Sequence, residues 1–432
     1  MSYTNNEIAE LVQPTKVNRR LYTDPEIFDL EMERIWAKSW IYIGHESQVR
    51  EKGSFFTLNY GKMPVVMVRD NNDEVHVLHN RCGHKGAKLV DTPCGKIPAF
   101  RCCYHGWRYR LDGKLLGVPH MTGYDGTEFD KEDPQYSMQK IRSESFRGFV
   151  FATMNPDAPD LRTWMGGAAD VMDNLCDRAP GGEVEAAGGV LRYEHECNWK
   201  MFIENLNDTM HPMIVHRSVV ESALDYIKTL PEGSPRRDEA EIIPPFGASY
   251  EAFEESGITG FKYGHHYDGG KTSIHAKYTL DPEYEKAMLE SYGKDRMQEI
   301  LSFNTHNTLY YPSLTIKSAV QNIRVVRPIA YNKTIIETWS FRLKGAPDSM
   351  LKRTLLYSRL INSNGSMVGP DDLTAYRRMQ EGLVSDGADW IEMHRNFGRD
   401  EVQEDRTVGL GTSDLDVRTQ FAAWRQYMTE AA

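Results

Sequence analysis

Two short clusters of soft and borderline ligands stand out in the chain. Cys82-x-His84 is followed, after seventeen intervening residues, by Cys102-x-x-His105. Each pair is tight enough for both side chains to reach one ion or one edge of a cluster. Two thiolates and two imidazoles suit zinc or an iron–sulfur centre. Zinc fingers usually join two cysteines in one pair and two histidines in the other. Here both pairs are mixed, a set that a [2Fe–2S] cluster can use with cysteines on one iron and histidines on the other. Of the nearby cysteines, Cys103 reads as a small apolar filler beside the centre and Cys94 as a plain loop thiol.

The second group lies well downstream, in Asn198–His216, NWKMFIENLNDTMHPMIVH. His211 and His216 are one residue further apart than the i, i+4 spacing of a regular helix, and Pro212 between them predicts that the helix is interrupted there. Glu204, Asn205 and Asp208 sit just upstream as hydrogen-bond acceptors or further ligands. Two neutral imidazoles and one carboxylate on one face of an iron leave positions open for oxygen. Taken alone, the stretch reads equally well as surface histidines beside acids.

The first stretch resembles the cluster-binding motif of Rieske proteins. With Gly106-Trp107 and the tail Tyr109-Arg-Leu-Asp-Gly-Lys it resembles the version found in Rieske non-haem iron oxygenases. Lys85 stands where that family more often has arginine. Asn-Trp-Lys, Glu-Asn and Asp-x-x-His-x-x-x-x-His, in that order, are similar to the mononuclear-iron motif of the large subunits of these oxygenases. The resemblance covers nearly the whole chain. It implies a [2Fe–2S] cluster on Cys82, His84, Cys102 and His105, and one mononuclear Fe(II) on His211, His216 and a carboxylate near the C-terminus. Val368-Gly-Pro-Asp371-Asp372 resembles that ligand segment, with Asp372, the second of the pair, as the ligand; both acids also suit the first turn of a helix. Asp208 is similar to the acid that bonds an iron-site histidine and a cluster histidine of a neighbouring subunit. That bridge implies a closed head-to-tail ring, a homotrimer.

These sites need elements to hold them. Asp24-Pro25-Glu26 starts a helix that closes an N-terminal arm, 1–38. From Ser39, short β-prone runs (Trp40–Ile43, Ser54–Leu58, Val65–Val68, Val75–Leu78) predict a small antiparallel domain, 39–155, with both ligand pairs on loops between strands. Arg147–Ala152 reads as its closing strand. Residues 156–432 alternate helical and strand-like pieces. Leu191–Cys197, Leu309–Pro328 and Thr334–Leu343 read as strands and Asp371–Asp389 as a helix. The fold class expected is α+β: a small β Rieske domain, then a larger catalytic domain with an antiparallel sheet flanked by helices. His265, His266 and His275 fall in a loop-rich segment, 262–275, that reads as a lid or a solvated insertion. His195 and Cys197 read as packing residues, and His306 has no partner spacing.

Composition sets the outer limits. A chain of 432 residues with a formal net charge of −11 is too long for one small core and repels nucleic acid and anionic membrane surfaces. No apolar run is long enough to span a bilayer. Six cysteines, two of them placed at a metal, do not make a disulfide framework, which points to a reducing cytoplasm.

The resemblance implies the terminal component of an aromatic-ring-hydroxylating oxygenase. It would use O2 and electrons from a separate NAD(P)H-linked reductase or ferredoxin, with or without a small β subunit. Histidine ligation raises a Rieske potential to about −150 to +300 mV, within reach of such donors, and the chain has no G-x-G-x-x-G fingerprint of its own. The expected reaction is cis-dihydroxylation of an aromatic compound or aromatic acid. Monooxygenation or demethylation on the same iron is the alternative, and a pure Rieske electron carrier a more distant one. Asn205 is a candidate substrate contact. Lys317–Arg327 places cations on a strand; they read first as solvent-facing, with Arg324 the candidate anchor for a carboxylate.

Overall fold

A computed structural model of the chain describes residues 3–234, 237–270 and 272–430. It separates into two compact units, Trp36–Leu161 and Met1–Ile35 with Arg162–Ala432.

In the smaller unit a seven-stranded antiparallel sheet is built from β1 (Ile41–His45), β2 (Ser54–Tyr60), β3 (Met63–Arg69), β4 (Val75–His79) and β5 (Cys94–Lys96), with β9 (Lys140–Phe146) and β10 (Phe149–Thr153). The strand order is β1-β10-β9-β4-β3-β2-β5. A three-stranded sheet of β6 (Phe100–Arg101), β7 (Arg108–Tyr109) and β8 (Leu115–Gly117) lies between β5 and β9 in sequence. Val66, Val68, Leu78, Phe100, Tyr109 and Leu111 form one buried cluster with Cys82, Cys102 and Trp107. The ligand loops are therefore seated on the core. Arg147 and Gly148 do not open the closing strand; they form the β9–β10 turn, both at positive φ.

The larger unit carries a nine-stranded antiparallel sheet: β11 (Val184–His195), β12 (Ile258–Phe261), β13 (His266–Gly270), β14 (Asn304–Tyr310), β15 (Leu314–Lys317), β16 (Asn322–Ala330), β17 (Lys333–Leu343), β18 (Glu401–Val402) and β19 (Arg406–Gly409). Its order is β11-β17-β16-β15-β14-β13-β12-β19-β18. Helices accompany it: α1 (Pro25–Glu31), α2 (Trp199–Asn205), α3 (Pro212–Val215), α4 (Arg217–Thr229), α5 (Asp348–Tyr357), α6 (Gly369–Gly382) and α7 (Leu415–Thr429). The chain is thus α+β with antiparallel sheets. No helix among the described residues is long and apolar enough to cross a membrane.

The Asn198-Trp199-Lys200 stretch is an anchor. Asn198 caps α2 by accepting from the Lys200 N–H. Glu31 of α1 accepts from Lys200 Nζ at 2.6 Å, Trp199 Nε1 at 2.8 Å and Trp424 Nε1 at 2.7 Å. Glu31 and Lys200 have side chains 0% exposed. Removing one partner of such a pair would strand a charge and cost about 3–5 kcal/mol. The anchor ties α1, α2 and α7 together directly behind the histidine segment.

Two segments differ from their sequence reading. α6 ends at Gly382 rather than Asp389, because Ser385-Asp386-Gly387 sets three turn formers in a row just beyond it. The 262–275 segment is neither a lid nor a solvated insertion: His266–Gly270 is strand β13, and His265, His266 and His275 are buried. Lys271 of that segment lies outside the described residues.

Candidate metal centres and active-site cavity

The two cysteine–histidine loops of the smaller unit are built alike. In each, the cysteine N–H donates to the carbonyl five residues on (Ala87 for Cys82, Trp107 for Cys102), at 2.8 Å in both. In each, the cysteine carbonyl accepts from a glycine N–H four residues on, Gly86 at 3.0 Å and Gly106 at 3.1 Å. Both glycines have positive φ, 76° and 72°, which a side chain would strain. The spacing Cys-(x)3-Gly is thus the sequence trace of the repeated loop.

The loops bring the His84 and His105 rings to 4.7 Å between centroids. Trp107 stacks on His84 at 4.8 Å and 5°. The Tyr109 hydroxyl lies 3.0 Å from Cys82 Sγ and accepts from the Gly83 N–H at 2.9 Å. Cys82 and Cys102 are buried, and His84 Nδ1 is buried without a hydrogen-bond partner. Two buried thiols and an orphaned imidazole nitrogen are what a [2Fe–2S] cluster would complete, so the residues fit the group. Cys103 is exposed. It is not the apolar filler expected from sequence, because the turn that points Cys102 inward points its neighbour to solvent. Cys94 is exposed as well, on the edge strand β5 rather than in a loop.

In the larger unit, α2 stops at Asn205 and α3 begins at Pro212. The helix is interrupted before Pro212, not at it; proline occupies the first turn of α3, where its missing N–H costs nothing. A second break at His216 (φ −100°, ψ 13°) separates α3 from α4. These two breaks, and not a helical period, turn both histidines to one side. Their rings lie 5.4 Å apart.

Asp372, in the first turn of α6, completes the group. Its Oδ1 is 3.3 Å from His216 Nε2 and 3.7 Å from His211 Nε2. One donor atom from each of the three lies within 4.8 Å of the others. Metal–ligand bonds of about 2.1 Å at right angles put donors about 3 Å apart, so the set fits a single ion with small adjustment. Asn205 Nδ2 lies 3.2 Å from His211 Nε2 and donates to Asp372 Oδ1 at 3.5 Å. That places it against the ligand atoms themselves.

Two further acids back the rings. Asp208 Oδ2 stands 3.5 Å from His211 Nδ1, and its Oδ1 accepts from the Met210 N–H at 2.8 Å. Burial would raise the Asp208 carboxyl, but His211 and that N–H hold it below its ordinary range. Asp371 Oδ2 is 3.4 Å from His216 Nδ1, a contact the sequence did not suggest.

The three donors line a cavity of about 40 Å³ whose apolar wall includes Phe246, Phe253, Ile361 and Val368. Its polar wall comes from the sheet: His306 and Asn307 of β14, Lys317 of β15 and Arg324 of β16. Lys317 and Arg324 are therefore not solvent-facing. Lys317 is 3% exposed, its Nζ bonded to the Tyr357 hydroxyl at 2.9 Å. Arg324 donates to Asn307 Oδ1 at 2.7 Å and lies 5.3 Å from the centre of the Phe202 ring. His195 stacks on Tyr376 and is packed, while His306, unassigned in the sequence, stacks on His275.

Comparison with known proteins agrees with this arrangement. The model of the Rieske [2Fe-2S] domain matches residues 39–131, and that of the ring hydroxylating alpha subunit (catalytic domain) matches residues 183–429. The large subunit of anthranilate 1,2-dioxygenase from Acinetobacter baylyi is 30% identical over 390 residues, 88% of this chain and 80% of that protein. The alpha subunit of toluate 1,2-dioxygenase from Pseudomonas putida is 29% identical over 429 residues, 96% of this chain and 91% of its own. Naphthalene 1,2-dioxygenase with indole bound superposes with a TM-score of 0.82 at 20% identity, over 99% of this chain and 95% of that one, which shows the shared fold. With more than half its length matched by one catalytic-domain family and a dioxygenase large subunit matching most of it, the chain belongs to the ring-hydroxylating oxygenase alpha subunits, enzymes that carry a Rieske [2Fe–2S] cluster and a mononuclear iron and oxygenate aromatic rings with O2.

Proposed function

We propose that the chain dihydroxylates an aromatic acid, with His211, His216 and Asp372 holding the mononuclear iron and Cys82, Cys102, His84 and His105 the cluster. The observation that carries this reading is the convergence of His211, His216 and Asp372 within 4.8 Å at a cavity that also holds Arg324. When bound, the cluster supplies single electrons and the mononuclear iron supplies the place where O2 is reduced. The protein's own groups do the rest. Asp208 and Asp371 stand at Nδ1 of the two imidazoles and orient them, which would leave Nε2 of each free to hold an ion. Phe246 and Phe253 offer flat apolar surface for an aromatic ring, and Arg324 pairs with its carboxylate. Asn205 stands at the ligand atoms, where its amide reaches both the ion's surroundings and a bound ring. Toluate and anthranilate, named for two relatives, are aromatic acids, which favours the same reading.

Asp208 is also the proposed relay to a neighbouring subunit. Its side chain is 32% exposed while it backs His211, so a second imidazole from another copy can reach it. The reading includes a homotrimer, with or without a small β subunit, and a ferredoxin or reductase as donor, as the resemblance to this family implies. We take residues 39–155 as the cluster domain, and 156–432 with the arm 1–38 as the catalytic domain. A reducing cytoplasm is part of the same reading, since two of the six cysteines are given to the cluster.

The test is reconstitution with iron and sulfide, followed by product analysis with an NAD(P)H-linked reductase and a panel of aromatic acids and hydrocarbons. A cis-diol from an acid and three irons per chain are expected. Two irons per chain with no oxygenated product would defeat the reading.

A further inference from the structure

The cavity wall holds more positive charge and more hydrogen-bond donors than one carboxylate uses. Thr315 pairs with Arg324 across β15 and β16, so Lys317, two residues along, shares the face of the sheet on which Arg324 stands. Among the described residues neither cation has a carboxylate at ion-pair distance; their charged ends bond the Tyr357 hydroxyl and the Asn307 amide oxygen. The Asp268 carboxylate, on the same wall, is taken by the Ser256 hydroxyl at 2.6 Å. Asp372 and Asp268 act on the Lys317 charge only from beyond ion-pair distance. A buried ammonium with only a neutral partner is costly to keep.

A second feature stands beside Lys317. His275 and His306 stack at 5.1 Å and 18°. Both ring nitrogens of His275 and Nδ1 of His306 are buried without a hydrogen-bond partner. Burial drives both rings toward the neutral form, in which each keeps one N–H to donate. Beyond His275 lies a further cavity of about 230 Å³, bordered by Tyr278, Gln321 and Tyr357. Lys317 and His306 themselves line the cavity at the metal ligands, where His306 Nδ1 is an unsatisfied group that could receive a substituent.

Building on the aromatic-acid reading, we propose that the substrate ring carries two anionic groups, as in a benzenedicarboxylate, one held by Arg324 and the second by Lys317 with the His306–His275 pair. The second carboxylate would pair with the Lys317 ammonium and accept from the His306 imidazole, while the ring lies between them over the metal ligands.

The experiment uses the reconstituted holoenzyme with its electron donor. Benzoate, the three benzenedicarboxylates and toluene are compared by kcat/KM and by coupling of O2 uptake to product, in wild type and in Lys317→Met. One benzenedicarboxylate should exceed benzoate by about tenfold or more, the size expected of a charged hydrogen bond. Lys317→Met should lower that ratio by a similar factor. A wild-type preference for benzoate, or an equal loss on both acids in Lys317→Met, overturns the second subsite and leaves the aromatic-acid reading standing. Turnover of toluene with none of the acids overturns both. The wild-type ratio decides the matter even where Lys317→Met does not fold.

Discussion

Nδ1 of His216 lies 3.4 Å from Asp371 Oδ2, while Nε2 of the same ring lies 3.3 Å from Asp372 Oδ1. One imidazole thus stands between two consecutive acids, one at Nδ1 and one at Nε2. A carboxylate behind the ring favours a proton on Nδ1 and leaves the Nε2 lone pair for an ion. Asp371 is more than an acid of a helix's first turn. Asp371→Ala should weaken Fe(II) binding about 10- to 100-fold, and Asp372→Ala should abolish it. Competition with a chelator of known affinity measures both; wild-type affinity in Asp371→Ala would show that the contact does not position the ring.

The cluster assignment can be read from a potential. His84→Cys or His105→Cys replaces a neutral ligand by a thiolate and adds negative charge, so each should lower the reduction potential. Redox titration of the Rieske absorption gives the value. No change in either variant would remove both histidines from the ligand set.

Asp208 separates orientation from relay. Asp208→Ala should leave both metals bound and yet slow the passage of electrons from a reduced cluster. Asp208→Asn keeps the shape but loses the charge that holds the His211 N–H, and should be impaired nearly as much. The readout is single-turnover oxidation of pre-reduced cluster with substrate and O2 present. Oxidation at the wild-type rate in Asp208→Ala would reduce Asp208 to a surface acid.

Asp268 predicts a pH dependence of stability. Burial, opposed by the Ser256 hydroxyl, the Gly269 N–H and the Lys317 charge, raises its carboxyl from 3.8 to about 7. Between those values the folded chain holds a proton that the unfolded chain has released. Its contribution to stability is therefore present at low pH and declines as pH rises toward 7, by up to about 4 kcal/mol. Asp268→Asn keeps the acceptor for Ser256 and cannot ionise. The gain in melting temperature of Asp268→Asn over wild type should grow as pH rises through that window and then level off; a constant difference would place Asp268 as an ordinary ionised acid.

Local signals in the chain carried the chemistry a long way. Cys82, His84, Cys102 and His105 are readable because each pair is short and each loop closes on its own glycine, Gly86 or Gly106. Bonds between residues four and five apart build both loops. His211 and His216 were readable as a pair from their short spacing, but the two helix breaks that turn them to one side were not. Strands β2 to β4 followed from β-prone residues along short runs between turns.

What the chain could not disclose locally depends on residues far apart in sequence meeting across the fold. Asp371 meets His216 across 155 positions, so no spacing rule announces it. Lys317 and Arg324 alternate with apolar residues just as solvent-facing side chains do. Only the covering of that sheet face, by the histidine segment and by Tyr357 of α5, turns Lys317 into a buried cation and Arg324 into a half-buried one. His275 lies buried and His306 half-buried beside it, with ring nitrogens left unpaired. Amino-acid order by itself determined which ligand types stand on which loop, through bonds that close within a turn. Tertiary packing decided which charges lost their water, and with that which substituents the cavity can receive.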